Sequence, residues 1–391
     1  MSSRSQVNTL FTALVIAIAS IGTNAAIPTV PGMEADLGLS SGTGARIVSA
    51  FAFGYAIGHL VLGLIADRAN QRTLLIICFV GFILASLLPT AVDNQSTIIW
   101  ARLAQGLFAS AGPVIGRSII RASGDFDIAA RKMSSASAVF TWAPVIAPAL
   151  AGALASAYGW RSVYLFLAAY GATVCWLAIR AEQQWFPDRS IHKNSVSGIG
   201  ADLLALLNNR SFQCGIIVAT FVFGGFLAIL AATSDLLVLQ TITGGSLTAL
   251  VTIIAAAYAI GGTISRVLLN RYRSEAILKY AVVFSAMSSA VALTSPVFGD
   301  TPTLQFSAIV IYGLCAGIVN PNATILAMRD MSGTSAMAAA LVGSGKMLAA
   351  SAAAAVLALE TADLMVTLSW ILFWCSLCAM AGLAIRPRHQ P

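Results

Sequence analysis

Charge is scarce in this sequence. Asp, Glu, Lys and Arg make up 9% of its 391 residues while 58% are hydrophobic, and the mean hydropathy is +0.85. Soluble domains spend about a quarter of their residues on charge, so an aqueous fold that hides this much apolar surface is excluded. Histidine is scarce as well, with only His59, His192 and His389. Three scattered imidazoles do not assemble a protease, acyltransferase, haem or metal centre, so no enzyme, catalytic residue, cofactor or metal is expected. The six cysteines, Cys78, Cys175, Cys214, Cys315, Cys375 and Cys378, all fall in apolar stretches, where a thiol behaves as a small hydrophobe and no disulfide is expected. Cys375 and Cys378 form a C-x-x-C, yet they have no acidic or histidine neighbour to make it a redox or metal motif.

What fills the chain instead is twelve apolar stretches, at about 7–31, 43–66, 72–91, 95–121, 133–157, 161–180, 211–241, 247–270, 275–296, 302–328, 332–358 and 363–386. A hydrocarbon core about 30 Å thick takes about 20 helical residues to cross, and each stretch meets that length. The expected fold class is therefore an all-α membrane protein with 12 transmembrane helices. The first stretch has no small-residue cleavage site and runs into Pro28 and Pro31, which reads as a retained helix rather than a signal peptide.

Basic residues near helix ends stay cytoplasmic. With the N-terminus inside, all but Arg46, Arg102, Arg161 and Lys346 of the 22 Lys and Arg fall on the cytoplasmic side. Both termini are thus expected in the cytoplasm of a bacterium, with the chain multi-pass in the inner membrane. The net charge of +7 follows from this asymmetry and gives no support to a nucleic-acid partner.

The longest polar interruption, about 181–210, divides the spans six and six. The expected organisation is an N-terminal six-helix bundle at 1–180, a cytoplasmic linker at 181–210 and a C-terminal six-helix bundle at 211–391. A repeat crosses the divide. Gly63-Leu-Ile-Ala-Asp67-Arg68 closes the second span and Gly262-Thr-Ile-Ser-Arg266 the eighth; Gly106 and Gly112-Pro113 in the fourth answer to Gly313, Gly317 and Pro321 in the tenth. Two pseudo-symmetric bundles around a central cavity fit this pattern.

The segment from Gly63 to Arg72 resembles the G-x-L-a-D-R-x-G-R-K loop signature of the major facilitator superfamily, and Arg102-Leu-Ala-Gln105-Gly106 resembles its R-x-x-Q-G motif. Pro144-Val-Ile-Ala-Pro148-Ala-Leu-Ala-Gly152, followed by Tyr158-Gly-Trp160-Arg161, is similar to the antiporter motif of the bicyclomycin-resistance (Bcr/CflA) group of drug:proton antiporters, as is Asn320-Pro321-Asn322-Ala323-Thr324. The resemblance covers essentially the whole chain. It departs from the pattern at Asn70, where Gly is usual, at Gln71, where Arg is usual, and at Ala147 and Ala151, where the antiporter motif has Gly. Asn tolerates a left-handed turn, so the loop is expected to keep its shape.

The resemblance implies that Asp67, with Arg68, Arg72 and Arg121, latches the cytoplasmic side in one state. Asp67 would pair with Arg121 and face the helix N-terminus near Ser332; the alternative is a solvated loop charge that only sets topology. For Arg102 it implies coupling of substrate and proton binding, the alternative being an arginine bonded to first-span carbonyls or to Asn24.

Charges inside spans are costly, about 2.5–3.5 kcal/mol each at a helix centre, and are kept for compensation or use. At 1.5 Å per residue, Asn24, Arg102 and Asp235 each lie about 10 Å below the outer surface and share a polar layer, with Lys346 about 10 Å deeper. A buried Asp235 would load and release a proton near neutral pH, unless its span ends early and leaves it at the surface. Lys346 and His59 stand where the subgroup usually has Gln. Lys346 would bind an anion or exchange a proton, or pair with an acid. His59 would titrate, or pack as a hydrogen-bonded histidine. Gln105 and Arg117 complete the candidate set for substrate and proton coupling, and Arg46 is as much a lip charge as a ligand. Gly54, Gly58, Gly313 and Gly317 have spacing for close helix approach, while Pro144 and Pro148 should bend their helix; Gly152 and Pro321 join this packing set.

These residues describe a monomeric secondary transporter working by alternating access, whose partners are a small-molecule substrate, protons and membrane lipids. The basic cavity and the absence of an acid from the first span favour an anionic, zwitterionic or neutral solute, exported against proton entry. The alternative is a dedicated carrier of one anionic metabolite, such as a carboxylate siderophore or organic acid, running as uptake.

Overall fold

The computed structural model describes residues 3–38, 43–66, 69–121, 126–182, 185–186, 199–233, 247–294, 302–328, 335–359 and 364–385, with side chains except at 3–9, 64, 121, 126–141, 199–202, 302 and 335–336. Among them every element is helical. The helices are α1 (Ser3–Asn24), α2 (Val30–Leu37), α3 (Thr43–Ala66), α4 (Gln71–Ala91), α5 (Gln95–Ala109), α6 (Ala111–Arg121), α7 (Phe126–Tyr158) and α8 (Arg161–Arg180). They continue as α9 (Ile199–Asn208), α10 (Arg210–Ala232), α11 (Leu247–Leu268), α12 (Ser274–Thr294), α13 (Pro302–Ala327), α14 (Ser335–Leu359) and α15 (Leu364–Ala384). Eleven stretches among the described residues are long and apolar enough to cross a membrane, and Trp142–Tyr158 is a shorter apolar stretch on α7. The protein is a multi-pass, all-α membrane protein.

Sequence chemistry sets the helix starts. Asn70 Oδ1 accepts from Thr73 N, Asn94 Oδ1 from Ser96 N and Thr97 N, and Asn209 Oδ1 from Phe212 N, so three asparagine N-caps begin α4, α5 and α10. Asn70 therefore does not make the left-handed turn expected of the loop signature. Its φ is −68° and ψ 107°, the extended geometry a capping residue needs.

Proline and glycine set the interruptions. The first span does not run straight through: α1 ends at Asn24, a 3-10 turn follows at Ile27–Thr29, and α2 restarts with Pro31 in its first turn. Prolines lack the N–H that would continue α1 but are preorganised to open a new helix. The fourth span is likewise two helices, broken at Ser110 beside Gly112-Pro113. Pro144 and Pro148 lie within one uninterrupted helix, α7. In the seventh span α10 reaches Ala232 with Thr233 as its cap, and the remainder of the stretch expected to run to 241 lies outside the described residues. A short helix, α9, occupies part of the stretch expected to be linker.

Contacts divide the chain into two compact units, 1–39 with 50–194 and 195–391 with 40–49. In the first, α1 packs on α5, α6 and α7, and α4 on α5 and α8; in the second, α10 packs on α13, α14 and α15, α13 on α11 and α12, and α12 on α15. Among the described spans, the first of each unit is the most enclosed, 83% buried for Leu10–Leu37 and 78% for Arg210–Ala232, against 28% for Leu364–Ala384. The enclosed helices form the inside of each unit. Large apolar side chains such as Ile77, Leu84, Trp176 and Trp374 stay exposed on the outer faces, where lipid rather than water solvates them.

The two units repeat one helix contact. A Cβ on Gly106 would fall 2.1 Å from Phe51 O, and on Gly54 1.9 Å from Leu103 O; on Gly317 it would fall 2.0 Å from Tyr258 O, and on Gly261 2.0 Å from Leu314 O. Only glycine lets these backbones meet. The packing thus matches Gly54 with Gly261 and Gly106 with Gly317, a different register from the one suggested by aligning Gly63 with Gly262. Gly58 also presses on α5, against Leu107 O, whereas Gly313 makes only ordinary contacts with α11.

Candidate functional site

Unit 1 holds a sealed arginine. Arg102, on α5, is 0% exposed. Its Nη1 donates to Gly22 O on α1 (3.0 Å) and to Gln105 Oε1 one turn along α5, and its guanidinium lies 4.4 Å from the Phe51 ring on α3. Gln105 Nε2 donates to Ser86 Oγ on α4 (2.7 Å), which donates to Phe82 O (2.7 Å). A chain of neutral oxygens from three helices thus supports one permanent cation. Arg102 Nε and Nη2 are buried and have no hydrogen-bond partner. Asn24, two residues beyond Gly22 on α1, does not bond Arg102: its Nδ2 donates to Ser20 O (2.7 Å), and its buried Oδ1 has no partner.

His59, further along α3, is buried and stacked on Tyr55 at 4.6 Å and 26°. Arg117, on α6, is half-buried.

Unit 2 holds a second cation in a more open setting. Lys346, half-buried on α14, donates to Asn320 Oδ1 and to Thr324 Oγ1 (2.8 Å), side chains four residues apart on one face of α13. Asn320 Nδ2 donates to Tyr258 OH on α11. Lys346 Nζ stands 5.9 Å from the Phe223 ring on α10, and Phe226 stacks on Tyr258 at 4.4 Å. A Cβ on Gly345 would fall 2.7 Å from Thr220 Oγ1, and one on Gly224 2.8 Å from Ala349 Cβ. Small residues therefore draw α10 and α14 together and bring Phe223 beside the lysine. Sequence reasoning named Lys346 but missed Phe223, Phe226 and Tyr258. The four-residue spacing of Asn320 and Thr324 was the available signal.

Arg72 is differently placed from the latch implied for it. Its Nε donates to Ala178 O (3.2 Å) and its Nη2 to Ile179 O, so its guanidinium closes the carbonyl end of α8, where a cation also meets the negative helix terminus. Asp67, Arg68 and Asp235 lie outside the described residues, as does the Arg121 side chain. Gly152 is half-buried on α7, and Pro321 lies within α13.

A polar brace ties one end of unit 1. Arg161 donates to Asp36 Oδ2 (3.2 Å) and to Asp93 Oδ1 and stacks over Trp160 at 4.2 Å, while Trp160 Nε1 donates to Asp36 Oδ2 (2.8 Å). Gly159, at φ +80°, turns the chain between α7 and α8 so that both residues reach this point.

Residues 12–385 match the family model described as Major Facilitator Superfamily. An uncharacterized MFS-type transporter, YdgK, of Bacillus subtilis is 28% identical over 81% of this chain and 80% of its own length. Multidrug resistance protein D of Escherichia coli is 25% identical over 57% of this chain, and a bicyclomycin resistance protein homolog of Haemophilus influenzae 22% identical over 54%. The chain spans only 55% and 54% of the length of those two. The crystal structure of a D-xylose-proton symporter covers 97% of this chain and 96% of its own at TM-score 0.75 and 12% identity. That of FucP in an outward conformation covers 98% and 99% at TM-score 0.71 and 14% identity. These two likenesses concern the fold.

Proposed function

The chain belongs to the Major Facilitator Superfamily, a family of transporters rather than enzymes, and from that premise we propose that it is a proton-coupled exporter of small organic solutes. It works by alternating access as a monomer in the bacterial cytoplasmic membrane, with both termini inside and lipid around it. The multidrug and bicyclomycin names of its relatives support drug efflux, and the resemblance to the Bcr/CflA group of drug:proton antiporters agrees with them.

The observation that carries this reading is Arg102. A guanidinium stays charged at any physiological pH, and this one is sealed in the membrane interior against neutral oxygens alone among the described residues. Membrane proteins keep such charges for pairing, relay or substrate pathways. Its unbonded Nε and Nη2 are donors in waiting for an acceptor that arrives in another state. Protons load Asp235 from outside and change its pairing with a basic partner, while Asp67, Arg68 and Arg121 hold the cytoplasmic side closed in one state. Arg72 serves instead to position α8. The basic side chains Arg102, Lys346 and Arg117 favour anionic, zwitterionic or neutral cargo.

In proteoliposomes, Asp235→Asn is expected to abolish accumulation driven by a pH gradient and to leave substrate exchange intact. Accumulation that persists in the variant removes Asp235 from the coupling role.

A further inference from the structure

The Lys346 cluster is a built site with three chemistries on six side chains. It has a cation, two neutral oxygens that accept from it, and an aromatic wall in which Phe223 lies tilted on Phe226 (6.1 Å) and edge-on to Tyr258 (6.3 Å). Lys346, Asn320 and Thr324 are half-buried, and Phe223, Phe226 and Tyr258 are buried against one another beside them.

We infer that this cluster is a carboxylate subsite, which takes an organic acid with a ring-bearing apolar body: the carboxylate on Lys346 Nζ, the ring against Phe223. The inference rests on the transporter reading above and names a substrate class for it.

Three points carry it. An ammonium has three donors and no acceptor, and a hydrogen bond to a carboxylate is roughly twice as strong as one to a neutral oxygen. A ligand carboxylate is therefore a stronger acceptor for Lys346 Nζ than Asn320 Oδ1 or Thr324 Oγ1. The two side chains stay in place, because Asn320 Nδ2 still donates to Tyr258 OH and Thr324 Oγ1 donates to Asn320 O (2.7 Å). The cluster thus holds its shape as the lysine changes partner. Finally, the ring nearest the ammonium is held by two others, so it is already ordered and packing against it costs little entropy.

The probes are benzoate, benzamide and benzylammonium, which share a ring and differ in charge, added to the purified full-length protein while its melting temperature is followed. Benzoate is expected to raise the melting temperature and the other two to leave it unchanged. Lys346→Gln should weaken benzoate binding by about tenfold or more, Lys346→Arg should retain it, and Phe223→Ala should weaken it severalfold. No stabilisation by benzoate, equal stabilisation by benzamide or benzylammonium, or an undiminished effect in Lys346→Gln overturns the subsite. If Lys346→Gln does not fold, the Lys346→Arg and Phe223→Ala pair decides: loss with the first or no loss with the second overturns it. The two readings fail separately. Benzoate binding that depends on Lys346, without pH-coupled movement of any solute, sinks the transporter reading alone; pH-coupled transport of other solutes without benzoate binding sinks the subsite alone.

Discussion

Arg102 and Lys346 are both cations on membrane-spanning helices, both bonded to neutral oxygens, and they differ in enclosure. The arginine is wholly sealed, with α1, α3 and α4 around it, and the lysine is half-open beside an aromatic wall. The contrast separates two uses of charge. A sealed cation bonded from one helix to another ties a corner of the bundle, whereas a half-open one leaves room for a change of partner. Guanidinium suits the first use, since it stays charged when desolvated and its planar fork holds several oxygens; a compact ammonium on a flexible stem suits the second.

The largest expected effect tests the frame around both sites. Gly106→Val and Gly317→Val each drive a side chain into a facing carbonyl, and each should cost more than about 3 kcal/mol, read as loss of the folded peak in size-exclusion chromatography. A normal fold in one variant but not the other breaks the equivalence of the two glycine contacts.

Next comes the pair itself. Arg102→Met leaves Gln105 Oε1 and Gly22 O without their donor inside the bundle and should destabilise by about 1–3 kcal/mol, while Lys346→Met, whose partners reach water, should cost less than about 1 kcal/mol. Thermal melting in detergent ranks them, and equal shifts would erase the distinction between sealed and open. Gln105→Leu sharpens it further: by cutting the link from Arg102 to Ser86 it should cost about 1 kcal/mol and slow transport without altering which solutes compete. The smallest effect is expected from Arg72→Gln, about 0.3–1 kcal/mol from the open end of α8. A complete loss of transport there would return Arg72 to the gate.

Most of the fold was legible because bilayer thickness dictates a run length that soluble sequences rarely reach. What stayed hidden depends on packing or on local backbone chemistry. Ser110 breaks the fourth span beside a visible Gly112-Pro113, yet the apolar run there continues without pause. Asn70 was legible as a turn former but not as a cap, because capping depends on where the next helix starts. Of the site, Arg102 and Lys346 stood out as charges in apolar surroundings. Their partners did not: Ser86, Phe51 and Phe223 are ordinary residues of apolar helices, and only the register of packed backbones, set by glycines, reveals what they touch.

The brace at Arg161 gives unit 1 a single rivet. One guanidinium gathers a carboxylate from the end of α2, another from the loop before α5 and the indole at the α7–α8 corner. The end of α2, the loop before α5 and the α7–α8 corner are thus fastened at one point besides the packing of their helices.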